Sequence, residues 1–330
     1  MKMPPIKAIR TTRPGGAEVL EPVFQELDAP RSGEVLLRQT AIGVNLIDVY
    51  HRTAISGQYA IDHPAILGVE AAGVVEEVGP GVSGFHTGDR VAYWMVRGAY
   101  AQKRLIDASR LVKLPDFVSD EIAAACLVKG TTAQYLLHRI YAVKQGDVVL
   151  VHSAAGGVGQ LLCQWAKYLG AMVIGTVGSI EKMPIAKAMG CDHVILYRDT
   201  DFAGHVRQLT AGRGVDVVYD SIGKDTFAGS LDALRPLGTM VSFGQASGPV
   251  DAIDISVLAQ KGSIFLAKPT LATFIQERSD IESLAEGLFE VLASGAVKVD
   301  IKHRVPLEDV ALMHEALESR NTTGSIILIP

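Results

Sequence analysis

Residues 152–160 read HSAAGGVGQ, with three glycines and three small residues set between the apolar run Val148–Val151 and the segment LLCQWAKYLG. A glycine-rich turn that joins a strand to a helix has chemistry dictated by shape. The first turn of a helix offers backbone N–H groups without intrahelical partners and a partial positive charge, and both suit phosphate. Aligned on G-x-G-x-x-G, Ala154 takes the first position, Gly156 the second and Gly159 the third. Gly156 then allows backbone to approach a pyrophosphate, and Gly159 allows the helix to pack closely on the strand. A bare glycine pattern is weak evidence. Here a strand, a helix and a further strand follow in the order that a βαβ unit needs.

The end of the next strand selects the dinucleotide. NAD sites usually place Asp or Glu about 20 residues past the first glycine, to hold the ribose 2′-hydroxyl. This chain has Val177, Gly178 and Ser179 there, followed by Lys182. No acid repels a 2′-phosphate, Ser179 can donate a hydrogen bond and Lys182 adds positive charge, so the expectation is NADPH. Lys182 could also be a solvated helix residue balancing Glu181. Tyr197 closes the run HVILY, where it could stack on adenine or cap the sheet edge.

These residues sit in a chain that changes character along its length. Up to about residue 125, short β-like runs such as EVLLRQTAIGV, EAAGVVEEVG, DRVAYW and AYAQKRLI are separated by turns, which suggests a barrel-like β body. A helix begins near Glu121. After Asp147 the runs VVLVH, MVIGTV, HVILY, VDVVYD, TMVSFG and SIFLA alternate with helical patterns near 157–169, 181–189, 202–209, 225–235 and 254–261. Six strands in such alternation predict a parallel sheet covered on both faces. A long helix over 274–293, the run GAVKVDI, a helix over 307–318 and a last strand SIILI complete the chain.

The 330 residues, 48% hydrophobic and 20% charged with a net charge of −5, fit an ordinary globular protein of two domains. The acidic balance makes nucleic acid an unlikely main partner. No apolar run approaches the roughly 18 residues of a membrane span, and MKMPPIKAIR lacks a signal-peptide core. Cys126, Cys163 and Cys191 are odd in number and far apart, reading as buried thiols of a reducing compartment, so the expected location is cytoplasmic.

The segments PGGAEVL (14–20), AIGVNLIDVYHR (41–52), LGVEAAGVVEEVG (67–79), GDRVAY (88–93), AAGGVGQLLCQWAKYLGA (154–171), GTVGSIEK (175–182), VVYDSIG (217–223), MVSFGQASG (240–248) and LESRNTTGSIILIP (317–330) together carry a resemblance. The chain resembles the zeta-crystallin-like quinone oxidoreductases, in the zinc-independent branch of the medium-chain dehydrogenase/reductase superfamily. The resemblance implies an α/β fold with a GroES-like β-barrel catalytic domain plus a Rossmann domain, a doubly wound parallel six-stranded sheet. The expected boundaries are 1–126 and 269–330 for the catalytic domain and 127–268 for the NADP-binding domain. It also implies NADPH-dependent reduction of a quinone in a cleft where cofactor and substrate meet, and a homodimer built through the Rossmann domains.

By the same resemblance, Asn45, Leu46, Asp48 and Tyr50 line the nicotinamide and quinone side, with Tyr59 as the second quinone-lining tyrosine. The stretch HRTAISGQYAIDHP is longer than the usual loop between those two tyrosines. Tyr135 corresponds to a cofactor contact, and Gly157 and Val158 to the pyrophosphate face. Gly178, Ser179, Lys182 and Tyr197 surround the adenosine 2′-phosphate. Ser221 follows the fourth strand. Phe243, Gly244, Gln245 and Ala246 follow the fifth and meet the nicotinamide half. Pro269, Thr270 and Leu271 follow the sixth, and Arg320 and Asn321 return near the cofactor.

Zinc alcohol dehydrogenases of the superfamily carry Cys where this chain has Asn45 and His where it has Val69, and no CxxC cluster is present. Amide and isopropyl groups are poor zinc ligands, so no metal is expected. The nearby His51, His63 and His86 read as surface residues. Hydride transfer to a quinone then needs positioning and exclusion of water more than acid–base help. Tyr50 could donate a hydrogen bond to the developing hydroquinone oxygen, or simply pack. Asp48 could hold that tyrosine or a ribose hydroxyl, or cap a short helix. Glu70 is expected to orient a cleft side chain. Two alternatives stand beside this reading. One is a zinc-free reductase of an enal, enone or enoyl thioester; the other is an RNA-binding or structural crystallin-like protein.

Overall fold

Runs of β-branched residues with both faces covered make the central sheet. In Val215–Asp220 all six residues are buried, as a strand sandwiched between helices requires. The computed structural model describes residues 4–55, 57–198 and 200–330. By the density of its internal contacts the chain divides into two compact units: Met1–Val128 with Ile275–Phe289 and Val299–Pro330, and Lys129–Phe274 with Glu290–Lys298. Residues 269–274 and Glu290–Lys298, which the sequence reading assigns to the catalytic domain, thus cluster with the second unit.

The second unit holds a six-stranded parallel sheet. Val148–Val151 and Val215–Asp220 are its centre. Met172–Val177 and His193–Leu196 extend one side; Leu234–Ser242 and Phe265–Ala267 extend the other. The strand order reverses between the two central strands, and open α/β sheets bind ligands beyond the carboxyl ends of strands at that point. Helices Gly157–Tyr168, Met183–Ala188, Phe202–Leu209, Phe227–Ala233 and Ser256–Gln260 make the connections. One boundary differs from expectation. The fifth strand starts at Leu234, directly after its helix, and runs through Pro236 and the left-handed Leu237 (φ 59°). After the long helix, Gly295 turns the chain (φ 73°). Gln164 then satisfies the backbone of Lys298 on both sides, accepting at 2.9 Å and donating at 3.0 Å. Pairing begins at Ile301.

In the first unit, Ile301–Pro306, Ser325–Ile329, Glu34–Val44, Glu70–Val78, Arg90–Trp94 and Val112–Lys113 lie in that order, with Lys103–Asp107 also paired to Glu34–Val44. A second sheet orders Glu21–Gln25, Ile6–Thr11 and Ala65–Ile66, and Ala8 of its middle strand makes an isolated bridge to Ala101, two residues before Lys103–Asp107. The ladders among the described residues form these two sheets, the β-rich body that the sequence suggests. Ile9, Leu37, Ile42, Leu67, Tyr100 and Leu328 fill a core common to both. The helix Leu46–Thr53 follows the long strand Glu34–Val44 with one residue between them, Asn45.

Candidate functional site

In the second unit the turn after Val148–Val151 is built on close approach. Ser153 is left-handed (φ 55°), and Gly156, extended, caps the helix Gly157–Tyr168. A Cβ on Gly159 would lie 2.1 Å from the Ser153 carbonyl oxygen, so only glycine fits. A Cβ on Gly156 would lie 3.0 Å from Ser153 Oγ and 3.2 Å from its carbonyl oxygen, tight but not closed. Gly156 therefore keeps a space in front of the helix N-terminus that a larger side chain would fill, which suits a pyrophosphate. Val158 is half-buried one residue into that helix. His152, fully buried, contacts Thr176 Oγ1 at 2.8 Å and Ser230 Oγ at 2.9 Å; burial lowers its pKa, so it is a core histidine.

Across the switch point, Asp220 organises the opposite loop. Its carboxylate accepts from the backbone of Ile222 and Gly223 and from the hydroxyls of Thr226 and Ser230. The backbone of Phe243 and Gly244 donates to the Asp220 carbonyl, and that of Ala246 to the Ser221 carbonyl. A Cβ on Gly244 would meet the Ser221 carbonyl oxygen at 2.6 Å. Ser221 and Phe243–Ala246 thus form one knitted surface at the carboxyl end of two adjacent strands. Lys268, just past the sixth strand, reaches the Gly244 carbonyl at 3.4 Å. Pro269 is half-buried and Thr270 exposed, while Leu271 points into the core.

At the far side of the sheet, Gly178 and Ser179 follow Met172–Val177, and Tyr197 follows His193–Leu196. Arg198 joins them. A Cβ on Gly178 would lie 3.3 Å from Arg198 Nε and 3.5 Å from Tyr197 Cε1, and the guanidinium sits 6.0 Å from the Tyr197 ring centroid. Burial and the Arg198 charge hold the Lys182 ammonium below its ordinary pKa. Arg198 thus adds a second positive charge beside Gly178, at the same sheet end as Ser179 and Lys182. The sequence reading missed Arg198 because it lies in the chain after Tyr197, away from the glycine-rich segment.

Tyr135, which the resemblance makes a cofactor contact, is buried in the second unit. The residue is 1% exposed and its ring stacks on Phe274, centroids 4.3 Å apart and planes 8° from parallel.

In the first unit the helix Leu46–Thr53 carries the expected acceptor residues. Asn45 precedes it; the Asn45 backbone N–H donates to Asp48 Oδ2 at 2.9 Å, so Asp48 closes the first turn. The Asn45 amide donates to Glu70 Oε2 at 2.7 Å, and Glu70 Oε1 accepts from the Val128 N–H at 2.6 Å. Asp48 also accepts from a tyrosine hydroxyl, at 3.0 Å, but the tyrosine is Tyr100 and not Tyr50. Tyr100 meets His314 Nε2 at 2.9 Å, and His314 Nδ1 meets Arg52 Nη1 at 3.3 Å. Arginine can only donate, so Nδ1 accepts, Nε2 carries the proton to Tyr100, and Tyr100 donates to Asp48. Burial, then Arg52, pushes the His314 pKa down to about 3, consistent with that neutral tautomer. Arg52 ends the chain in an ion pair with Glu318 at 2.6 Å.

The rings of Tyr50 and Tyr59 come to 5.0 Å, tilted by 42°, and His51 lies edge-on to Tyr59 at 6.3 Å. His51 is half-buried rather than a surface histidine. Burial and the nearby charge of Arg97 lower its pKa to about 4. His86, by contrast, is exposed. Leu46 is half-buried at the helix start. Arg320, left-handed (φ 57°), and Asn321 terminate the helix Val310–Glu318 in this unit. Val69 is buried. Among the described residues no group of three or more His, Cys, Asp or Glu is placed to hold a metal ion, and no helix is long and apolar enough to cross a membrane.

Comparison with known proteins matches residues 31–116 to the alcohol dehydrogenase GroES-like domain and 157–285 to the zinc-binding dehydrogenase family. The chain is 46% identical to a quinone oxidoreductase of Salmonella typhimurium, covering 96% of this chain and 97% of that protein. It is also 46% identical to a 2-haloacrylate reductase of a Burkholderia species, covering 92% and 93%. The crystal structure of Escherichia coli quinone oxidoreductase complexed with NADPH superposes with a TM-score of 0.94 at 42% identity, covering 98% of this chain and 100% of that one.

Proposed function

The chain belongs to the quinone oxidoreductase family of medium-chain dehydrogenases/reductases, and on that premise we propose that it reduces a quinone with NADPH without a metal ion. The observation that carries the cofactor choice is Lys182 and Arg198 set together beside Gly178 and Ser179 where an NAD site would hold an acid. The residues fit NADPH: Gly156 keeps a cradle open at a helix N-terminus, and the two cations answer the 2′-phosphate.

When bound, NADPH supplies the hydride. The chain's own residues orient, bind and exclude water. In this reading Gly156–Gly159 hold the pyrophosphate and Gly178, Ser179, Lys182, Arg198 and Tyr197 the adenosine end. Ser221 and Phe243–Ala246, with Lys268 and Pro269–Leu271, bind the nicotinamide half; Tyr135, Arg320 and Asn321 complete the cofactor site. Asn45, Leu46, Asp48, Tyr50 and Tyr59 form the acceptor side. There the Tyr50 hydroxyl donates a hydrogen bond to the acceptor oxygen as negative charge builds on it, and the one proton that must accompany the hydride to give the hydroquinone comes from solvent.

NADPH should bind at least about tenfold tighter than NADH. Lys182→Ala should erode that preference and leave NADH nearly unaffected. Equal affinities in the parent protein would overturn the assignment, and a panel of quinones, enones and enoyl thioesters separates this reading from the other reductases. Cytoplasmic location and a homodimer through the second unit belong to the same proposal. The edge strand Phe265–Ala267, with Phe265 60% exposed, supports the dimer, because an apolar open edge invites a second strand. Sedimentation of Phe265→Lys against the parent tests it.

A further inference from the structure

Cys163 and Cys191 lie 28 residues apart in the chain and meet inside the second unit, their sulfurs 3.4 Å from each other. Both are buried free thiols, and neither has a part in the cofactor or acceptor site. Cys163 sits in the middle of the helix Gly157–Tyr168, and Cys191 two residues before the strand His193–Leu196. Neighbouring contacts show that the two backbones are close, and not only two side chains. Gly190 is left-handed (φ 97°), and a Cβ on it would lie 3.3 Å from Lys167 Cβ and 3.5 Å from the Cys163 carbonyl oxygen. Lys167, one helical turn after Cys163, pairs with Asp192 at 2.6 Å. Gly175, in the strand Met172–Val177, leaves room for the pair: a Cβ on it would lie 2.5 Å from Cys191 Sγ.

We propose that Cys163 and Cys191 are a modification site, a dithiol that a small peroxide oxidises to an intramolecular disulfide. The Cys191 sulfur, 3% exposed against 0% for Cys163, is the first to react. It attacks one peroxide oxygen, the O–O bond breaks, and Cys191 becomes a sulfenic acid while the other oxygen leaves as water with the thiol proton. The Cys163 sulfur then attacks the Cys191 sulfur. The S–S bond forms, the S–O bond breaks, and the hydroxyl leaves as water with the Cys163 proton. The two thiols give up two electrons and hydrogen peroxide takes both. The contact with Cys191, and then burial, push the pKa of the Cys163 thiol up, which suits it to the second step and not the first. The sulfurs must close from 3.4 Å to about 2.05 Å, and the short separation of the backbones brings that within reach of side-chain rotation.

The test is covalent and does not depend on the reductase reading. The full chain, reduced and freed of reductant, is exposed to hydrogen peroxide in native buffer, and its thiols are then alkylated in denaturant. Of the three cysteines only Cys126 should remain alkylatable. A proteolytic digest should hold the Cys163 and Cys191 peptides joined, about 2 Da lighter than their sum, and dithiothreitol should restore all three thiols. Cys126→Ser should form the same cross-link and Cys163→Ser none. Cys126, which belongs to the first unit, is the internal control, because an unfolded chain would pair it too. Retention of all three thiols, pairing that includes Cys126, or a sulfinic acid on Cys191 with no cross-link overturns the inference.

Discussion

The Asn45 amide donates to Glu70 Oε2 across 2.7 Å, and both residues are buried. Glu70 is thereby a positioning residue: one carboxylate oxygen fixes the amide that precedes the acceptor helix, the other holds the Val128 N–H. Gly43 makes room for it, since a Cβ there would lie 2.3 Å from Glu70 Oε2. Glu70→Gln keeps one acceptor but sets an amide N–H₂ against another donor. We expect a loss of about 1–3 kcal/mol in denaturant unfolding, together with a lower kcat at nearly unchanged NADPH affinity. Stability equal to the parent's would show that the contact carries no weight.

The two glycines of the phosphate turn should separate binding from stability. Gly156→Ala places a Cβ 3.0 Å from Ser153 Oγ, a mobile side-chain atom that can give way. Its melting temperature should stay near the parent's while NADPH affinity falls at least about tenfold. Gly159→Ala places a Cβ 2.1 Å from a backbone carbonyl oxygen, so the helix must move and stability should fall by several kcal/mol. If both variants bind NADPH as the parent does, the turn is structural and the cofactor assignment fails.

Local pattern revealed the parallel sheet because each of its strands is an apolar run bounded by turns, and Gly156 and Gly159 announce themselves by spacing. Long-range partners were not legible. Tyr100 and His314 stand 214 residues apart in the chain yet touch, and nothing near Asp48 in sequence marks Tyr100 as its partner. The start of the fifth strand at Leu234 and the stacking of Tyr135 on Phe274 depend on tertiary contacts. Arg198 was missed for a related reason: a lone exposed arginine has no motif until the fold brings it to Gly178 and Tyr197.

Metal independence is the third expectation. The family match is to zinc-binding dehydrogenases, but Asn45 spends its amide on Glu70 and Val69 is a buried isopropyl group. A catalytic zinc needs three protein donors of Cys, His or carboxylate type. Exhaustive chelation should leave NADPH-dependent quinone reduction intact, and simple alcohols with NADP⁺ should give no turnover. Stoichiometric zinc in the purified protein, with activity lost on chelation, would contradict this.

The last expectation concerns acid stability. His314 is fully buried between Tyr100 and the Arg52 guanidinium, and its pKa is pushed from the ordinary 6.5 to about 3. In the unfolded chain the same histidine takes up a proton near 6.5, so between about pH 6.5 and 3 the unfolded state binds more protons than the native one. Stability therefore falls as pH drops through that window and is unaffected by His314 above it. The slope from one such group cannot exceed about 1.4 kcal/mol per pH unit. His51 and His152, whose pKa values are also lowered, add to the total, so the informative quantity is the difference between parent and His314→Gln. Glutamine can accept from Arg52 and donate to Tyr100, which keeps the chain of hydrogen bonds to Asp48, but it does not titrate. Urea unfolding at pH 5, 5.5, 6, 7 and 8 should give a variant less stable than the parent at pH 7, with a shallower decline below pH 6 by close to one proton. An identical decline in both proteins would mean that His314 is protonated in the native state and that the directional chain from Arg52 to Asp48 is wrong.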